Sequence, residues 1–229
     1  MTTDALFGID NLTWEPPGGG PRLFDGVDFD VEPGTCLGLE GPSGSGKSTL
    51  LRCLVGLEPR VSGEIKWRGE TVAGEEIRKF RRRVVYVHQE PVNVAETIEE
   101  NLAFAREMAN AIEIPELGQP LDRDAQRERM AGVGLGDIDW ERNFDELSVG
   151  ERQRVAFVRC LTLQPAALLL DEPTASLDAE SRDHIEALME DYLAEAPDQR
   201  ALVWVSHDAS QIERVATDIV DIRSLGTTT

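Results

Sequence analysis

The stretch Gly41-Pro42-Ser43-Gly44-Ser45-Gly46-Lys47-Ser48-Thr49 matches the pattern G-x-x-x-x-G-K-[ST] at every position. The residue types say what chemistry that pattern serves. Glycines at 41, 44 and 46 let the backbone take conformations closed to residues that carry a Cβ. Successive N–H groups can then turn inward around a phosphate chain. Lys47 brings a cation to the terminal phosphates, and the Ser48 hydroxyl can ligate the accompanying magnesium. The flanks agree with this reading rather than with a chance glycine-rich turn. Cys36-Leu37-Gly38-Leu39 reads as a short buried strand leading in, and Thr49 to Leu57 as a helix leading out. A helix start adds its dipole to an anion site.

A second stretch could do chemistry with the first. Ala167-Leu168-Leu169-Leu170-Asp171-Glu172 is an apolar strand ending in two carboxylates. Such a run fits a strand covered on both faces. Asp171 at its tip can hold magnesium among the phosphates, and Glu172 can orient or deprotonate water for attack on the γ-phosphate. Alone, the same pattern describes a strand that simply ends at the surface; beside Gly41–Thr49 it gains weight. Val84 to Val87 reads as another strand, delivering His88 and Gln89 to its carboxyl end. Open α/β sheets bind ligands at that edge. His207 follows a strand at Ala201 to Val205 and, taken alone, is an ordinary strand-end histidine; His88 and His184 fit no pattern.

The elements that must position these groups are legible in outline. From Leu6 to Trp14 and from Val27 to Val31 apolar and polar residues roughly alternate, as on half-buried strands. Pro16 to Pro21 is a loop, Gly34 turns the chain into the strand before Gly41, and Gly63 to Trp67 is a short strand after a Pro/Ser/Gly turn. The first seventy residues therefore predict an antiparallel β portion beside the phosphate site. Arg78 to Arg83 is a basic cluster, read as a solvated helix face ahead of a contact surface for phosphate or an acidic partner. Helix formers dominate from about Glu96 to Leu163, with breaks near Ile114-Pro115, Leu117 to Pro120 and Gly132 to Gly136. Strands resume at Ala166 to Leu170, Ala201 to Val205 and Asp218 to Ile222, with helices at Ala179 to Ala194 and Ser210 to Ala216 between them. Strand and helix in alternation imply a largely parallel sheet.

Composition excludes several classes. Hydrophobic residues make up 41% of the 229, enough for a real core. No apolar run is longer than Ala166 to Leu170, far shorter than the ~20 residues of a membrane-spanning helix. Without a basic-then-apolar start, no signal peptide is expected, and the chain reads as soluble and cytoplasmic. Net charge is −20, and of 23 basic residues only Lys47, Lys66 and Lys79 are lysines. That surface repels polyphosphate backbones and argues against nucleic acid as a partner. It suits cytoplasm of very high salt, so a halophilic source is expected. Cys36, Cys53 and Cys160 have no metal-like spacing and read as reduced thiols.

One further stretch carries a family resemblance. Leu147-Ser148-Val149-Gly150-Glu151-Arg152-Gln153-Arg154 closely resembles the signature sequence of ATP-binding cassette (ABC) ATPases. It lies shortly before the second acidic strand, as in that family. Gln89 matches the family's Q-loop, Ser176-Leu177-Asp178 its D-loop and His207 its switch histidine. Together these cover most of the chain in the family's order. The resemblance implies a single α/β domain with a P-loop NTPase (RecA-like) core over 1–92 and 156–229. That core carries the antiparallel β portion, and a helical signature subdomain is inserted over 93–155.

The resemblance also assigns roles. Lys47 and the amides of Gly41 to Thr49 hold ATP, while Ser48, Asp171 and Gln89 surround Mg2+. Glu172 is the catalytic base and His207 contacts the γ-phosphate. Ser148 and Gly150 touch the γ-phosphate of ATP bound to a second copy of the chain in a head-to-tail dimer, and Asp178 of the D-loop match is counted with the ATP-binding residues. Trp14 is the nearest candidate to stack on adenine, although it lies about two residues early, where Pro16 stands in place of an aromatic. Val149 and Glu151 depart from the usual glycine and glutamine of the signature. Transmembrane permease subunits would dock near Gln89 to Thr97, with no fused span and no appended regulatory domain expected. Arg82 to Ala105 and Val203 to Asp208 look most like small ATPases assigned to iron or metal export. Phosphate or amino-acid uptake ATPases, or a non-transport iron–sulfur assembly factor, are the alternatives.

Overall fold

A computed structural model describes residues 5–20, 22–58 and 62–225. Pro21 and the turn at 59–61, both expected as loop, lie outside them. Two sheets organise the chain. An antiparallel sheet has the order β2-β1-β4-β5, from β1 (Phe7–Trp14), β2 (Phe24–Val31), β4 (Ser62–Trp67) and β5 (Glu70–Thr71). A parallel sheet has the order β6-β7-β8-β3-β9, from β3 (Cys36–Glu40), β6 (Val84–Val87), β7 (Ala167–Asp171), β8 (Ala201–Val205) and β9 (Asp218–Asp221). Because these five strands run the same way, the loops after β3, β6, β7 and β8 all leave at one edge. That edge carries Gly41, Gln89, Glu172 and His207.

The central parallel strands β7 and β8 are apolar nearly throughout because both of their faces are buried. Along β7 and β8, Ala167, Leu169, Ala201, Val203 and Val205 pack toward the antiparallel sheet and α1 (Lys47–Leu54). Their neighbours Leu168, Leu170, Leu202 and Trp204 pack the other way, against helices. These helices are α3 (Ile98–Ala111), α5 (Val149–Thr162) and α6 (Ala179–Ala194). At about 25 cal/mol per Å² of apolar surface, two-sided burial is what makes these short strands stable. Antiparallel β2, by contrast, alternates buried and exposed positions along its length.

The helical insertion comprises α3, α4 (Arg123–Gly132), a 3-10 turn at Phe144–Glu146 and the start of α5. Thr97 and Glu100 form a capping box that starts α3: Thr97 Oγ1 accepts from the Glu100 N–H, and the Glu100 carboxylate accepts from the Thr97 N–H. Helix α5 is continuous across 155/156, where the insertion was expected to end. Val155, Phe157, Val158 and Leu161 on that helix pack beneath the parallel sheet, so α5 anchors the insertion to the core.

The basic cluster is in part the solvated helix face expected, with Arg78, Lys79 and Arg81 exposed. It forms the end of α2 (Glu76–Arg83), but three of its arginines are structural. Arg81 donates to the carbonyls of Val55 (2.8 Å) and Gly56 (2.7 Å), just beyond the end of α1. Arg82 is buried and donates to the Leu163 carbonyl. Arg83 lies 5.4 Å from the Trp67 ring centroid and pairs with Glu116. Charge in sequence misled because tertiary packing supplied the acceptors.

Candidate functional site

Helix α1 begins at Lys47, two residues before its predicted start, because Gly46 caps it in the left-handed region at φ 94°. Gly41 is required by closeness as well as by its φ of 150°. A Cβ there would lie 2.6 Å from Ile222 Cγ2 and 2.9 Å from Ser45 Oγ. The loop is thus wrapped tightly, and Ser45 Oγ is buried with no hydrogen-bond partner. Lys47 is 93% buried by its 7% exposure, and its Nζ donates to the loop's own carbonyls at Gly41 (2.7 Å) and Pro42 (3.1 Å). Among the described residues the ammonium rests on two neutral carbonyls and forms no ion pair, although Asp221 feels its charge, and the orphaned Ser45 hydroxyl sits in the same loop. Both fit a bound polyphosphate.

Ser48, one residue on, donates from Oγ to Asp171 Oδ1 at 2.9 Å. The two residues are 123 apart in sequence and meet because α1 packs over β7. A hydroxyl and a carboxylate are hard oxygen donors, suited to Mg2+, which keeps other positions for phosphates and water. Among the described residues no group of three or more His, Cys, Asp or Glu could hold a metal by itself. The donor set therefore fits magnesium brought in with a nucleotide. Asp171 Oδ2 accepts from the Tyr86 hydroxyl at 2.7 Å. Burial, followed by the Asp171 carboxylate, pushes the Tyr86 hydroxyl well above its ordinary pKa, so it stays a donor.

Glu172 sits at φ 48°, one of four described non-glycine residues in the left-handed region. Its N–H donates to Val205 O at 3.0 Å, extending the β7–β8 pairing by one step. That turn sends the Glu172 carboxylate away from Asp171 and toward His207, whose Nδ1 lies 2.8 Å from Glu172 Oε2. A residue strained where it presents a carboxylate is a frequent feature of functional sites. Asp208, next to His207, caps α7 (Ala209–Val215) by accepting from the Ser210 and Gln211 amides. Gln89 is exposed just past β6, and among the described residues no hydrogen bond links it to Ser48 or Asp171.

The signature residues assemble elsewhere. Ser148 caps α5 in a reciprocal box: its Oγ accepts from Glu151 N–H at 3.2 Å, and Glu151 Oε2 accepts from Ser148 N–H at 2.8 Å. That amide holds the Glu151 carboxyl below its ordinary range. Val149 lies in the first helical turn with ordinary backbone angles and an exposed side chain, so no glycine is needed there. A Cβ on Gly150 would lie 3.3 Å from Ser181 Oγ and 3.6 Å from Leu177. Asp178 caps α6 by accepting from the Ser181 amide (2.9 Å) and hydroxyl (3.0 Å). Ser148, Gly150 and Asp178 are thus neighbours. Among the described residues no hydrogen bond or ion pair joins Ser148 or Gly150 to Gly41–Thr49.

Trp14 does not present a stacking face. It is buried at 8% exposure with its ring 6.3 Å from that of Phe24, inside the core between the sheets. The register shift between Leu12 and Trp14 at the end of β1 accompanies this inward placement. The cysteines are free thiols, and burial pushes Cys36 up to about 12, far from reactivity. A cavity of about 640 Å³ lined by Met189, Leu193, Trp204 and Val215 includes none of the phosphate-loop residues. Sequence reasoning missed Tyr86. Its only signal was its place on the strand that delivers Gln89.

A glycine loop between strand and helix, with an acid-tipped strand one place over in the same parallel sheet, defines a P-loop nucleotide hydrolase. The family model described as "ABC transporter" matches residues 24–175. The chain belongs to the ABC transporter family and is one of its ATPases. It is 32% identical to the "Probable iron export ATP-binding protein FetA" of Escherichia coli, over 85% of this chain and 82% of that protein. It is 37% identical to the "Phosphonates import ATP-binding protein PhnC" of Thiobacillus denitrificans, over 81% and 72%. A rice relative, "Protein STAR1", is 35% identical over 91% of this chain, which spans 57% of the rice protein. Among solved structures, a bacterial Atm1-family ABC exporter with ATP bound superposes with a TM-score of 0.80. It is 25% identical, over 96% of this chain and 37% of that one. Among the described residues no helix is long and apolar enough to cross a membrane.

Proposed function

We propose that the chain is the ATP-hydrolysing half of a two-copy machine that drives separate membrane subunits. In this reading Lys47 and the amides of Gly41 to Thr49 hold the phosphates of ATP. Ser48 and Asp171 hold Mg2+, joined by Gln89 when its loop closes in; the ion would neutralise charge on the phosphate oxygens. Glu172 takes a proton from the attacking water, and His207 steadies Glu172 while reaching the γ-phosphate. The water oxygen bonds to phosphorus as the bond to ADP breaks. The 2.8 Å contact between Glu172 and His207 is the observation that carries this reading. Two strands' ends and a strained backbone converge to make it.

Ser148 and Gly150 act on the ATP of a second copy. Support comes from the helix start they occupy, which favours anions, and from the lack of a bond to the phosphate loop of the same chain. Permease subunits dock near Gln89 to Thr97, where Val92 and Val94, with Phe104 and Met108 on α3, leave apolar surface exposed. The chain then sits on the inner face of the membrane through its partner. For cargo we infer iron or metal export, supported by the export relative. The phosphonates relative supports uptake instead, and the identity of the permease partner decides between them. The acidic surface further supports a halophilic source. Unfolding midpoints should rise from low to molar KCl, and a protein most stable at low salt ends that part.

The direct test of the chemistry is Glu172→Gln. Replacing a general base should lower turnover by about 10²–10⁴ while leaving ATP binding within about twofold. Equal turnover in the variant and wild type refutes the assignment.

A further inference from the structure

Asp171 receives one hydrogen bond on each carboxylate oxygen. Ser48, within the phosphate-loop motif, supplies Oδ1; Tyr86, which belongs to no motif, supplies Oδ2. The parallel register sets Tyr86 opposite Leu169, two residues before Asp171, and a tyrosine is long enough to reach along the strand to the carboxylate. Arg52 on α1 also lies near the Tyr86 hydroxyl, close enough for the two to act on each other electrostatically. Arg52 in turn pairs with Glu58 at 3.0 Å. Ser48 and Arg52 are four residues apart on α1 and so share a face. Asp171 is thus held from two elements: α1 reaches one oxygen through Ser48, and β6 reaches the other through Tyr86.

We propose that Tyr86 is a positioning residue for the metal site, holding the Asp171 carboxylate in one orientation. A carboxylate has a broad terminal torsion, and a single bond from Ser48 leaves it free to turn about that contact. The second bond removes that freedom before magnesium arrives. Partners of a metal ligand orient it in this way, and their loss costs metal affinity without removing a ligand. Tyr86, on β6, also stands three residues before Gln89, which lies just past the end of that strand. The orientation of Asp171 is therefore tied to the strand that leads into the permease-facing loop. The proposal rests on the reading of Ser48 and Asp171 as magnesium holders.

The test titrates Mn2+ into the intact chain saturated with a non-hydrolysable ATP analogue, with free Mn2+ read by electron paramagnetic resonance. Tyr86→Phe keeps the ring and its packing and removes only the hydroxyl. It should weaken Mn2+ binding about tenfold. Analogue binding in EDTA and the thermal midpoint should stay near wild type, which a merely structural role would not allow together with the metal loss. Arg52→Gln, which leaves the tyrosine in place, should weaken Mn2+ by a smaller factor in the same direction. Asp171→Asn separates the two levels of inference. If it loses Mn2+ while Tyr86→Phe and Arg52→Gln bind like wild type, the metal site stands and the role of Tyr86 is overturned. If Asp171→Asn binds Mn2+ like wild type, the metal reading falls, and the proposal with it.

Discussion

The phosphate-loop region and the signature region are both helix starts, yet they are finished differently. At α1 the cap is a glycine with no side chain, Ser45 Oγ has no partner, and Lys47 rests on neutral carbonyls. The groups that complete this end, Asp171, Tyr86, Glu172 and His207, arrive from three other strands of the same chain. At α5 the cap is a full serine–glutamate box, closed on itself and packed against the start of α6. One region is assembled by long-range folding and left with open donors. The other is assembled locally, with Val149 exposed beside it. That asymmetry supports the proposed site shared between two copies, in which the chemistry is built into one face and a locally capped helix start is offered to the ATP of a second copy.

The comparison can be broken at several points. The largest effect should follow Ser148→Arg, which puts a bulky cation at the signature face. Turnover should fall by a factor of about 10² or more, as when an electrostatic contact to a reacting phosphate is lost, with ATP affinity of the single chain unchanged. A fall in that affinity would mean the signature acts on its own chain's nucleotide. Next, Lys47→Ala removes a charge-assisted contact and should weaken ATP binding about ten- to hundredfold by direct titration. Wild-type affinity would place the phosphates elsewhere.

Smaller effects test the local caps. Glu151→Gln keeps an acceptor for the Ser148 amide and should change stability by well under ~1 kcal/mol. Ser148→Ala removes the cap oxygen and should cost about 1 kcal/mol in denaturant unfolding. If the first costs more than the second, the box is held by charge rather than by the serine hydroxyl. The smallest effect is in pH. The Ser181 amide and hydroxyl hold Asp178 below its ordinary value of 3.8. Its contribution to α6 is complete above that value and is lost as pH falls through the depressed one. Asp178→Asn should therefore flatten the stability curve slightly below pH 4 and lower it by a small amount at pH 7, where the charged cap is fully present.

Much of the site was legible because it is local. Gly41 to Thr49 declares its own turn, and Leu168 to Glu172 declares a two-sided strand with acids at its tip. The boundaries of α6 were also readable, since Asp178 is a cap before a helical run. What was not legible depends on register and packing between distant segments. Tyr86 meets Asp171 only because β6 lies beside β7. Arg81 and Arg82 lose their apparent freedom to carbonyls of residues far away in sequence. Trp14 turns into the core after an irregular end to β1, which no alternation of residues announces. Val149 departs from the usual glycine of the signature, and only its ordinary backbone angles in the first turn of α5 show that the position needs none.

The measurement that tests the shared site most directly is the mass of the Glu172→Gln chain by analytical ultracentrifugation, with saturating ATP and magnesium. The account predicts a dimer with ATP, a monomer without it, and a monomer again for the Glu172→Gln, Ser148→Arg double variant although it still binds ATP. A monomer under saturating ATP, or a dimer indifferent to Ser148→Arg, would contradict it.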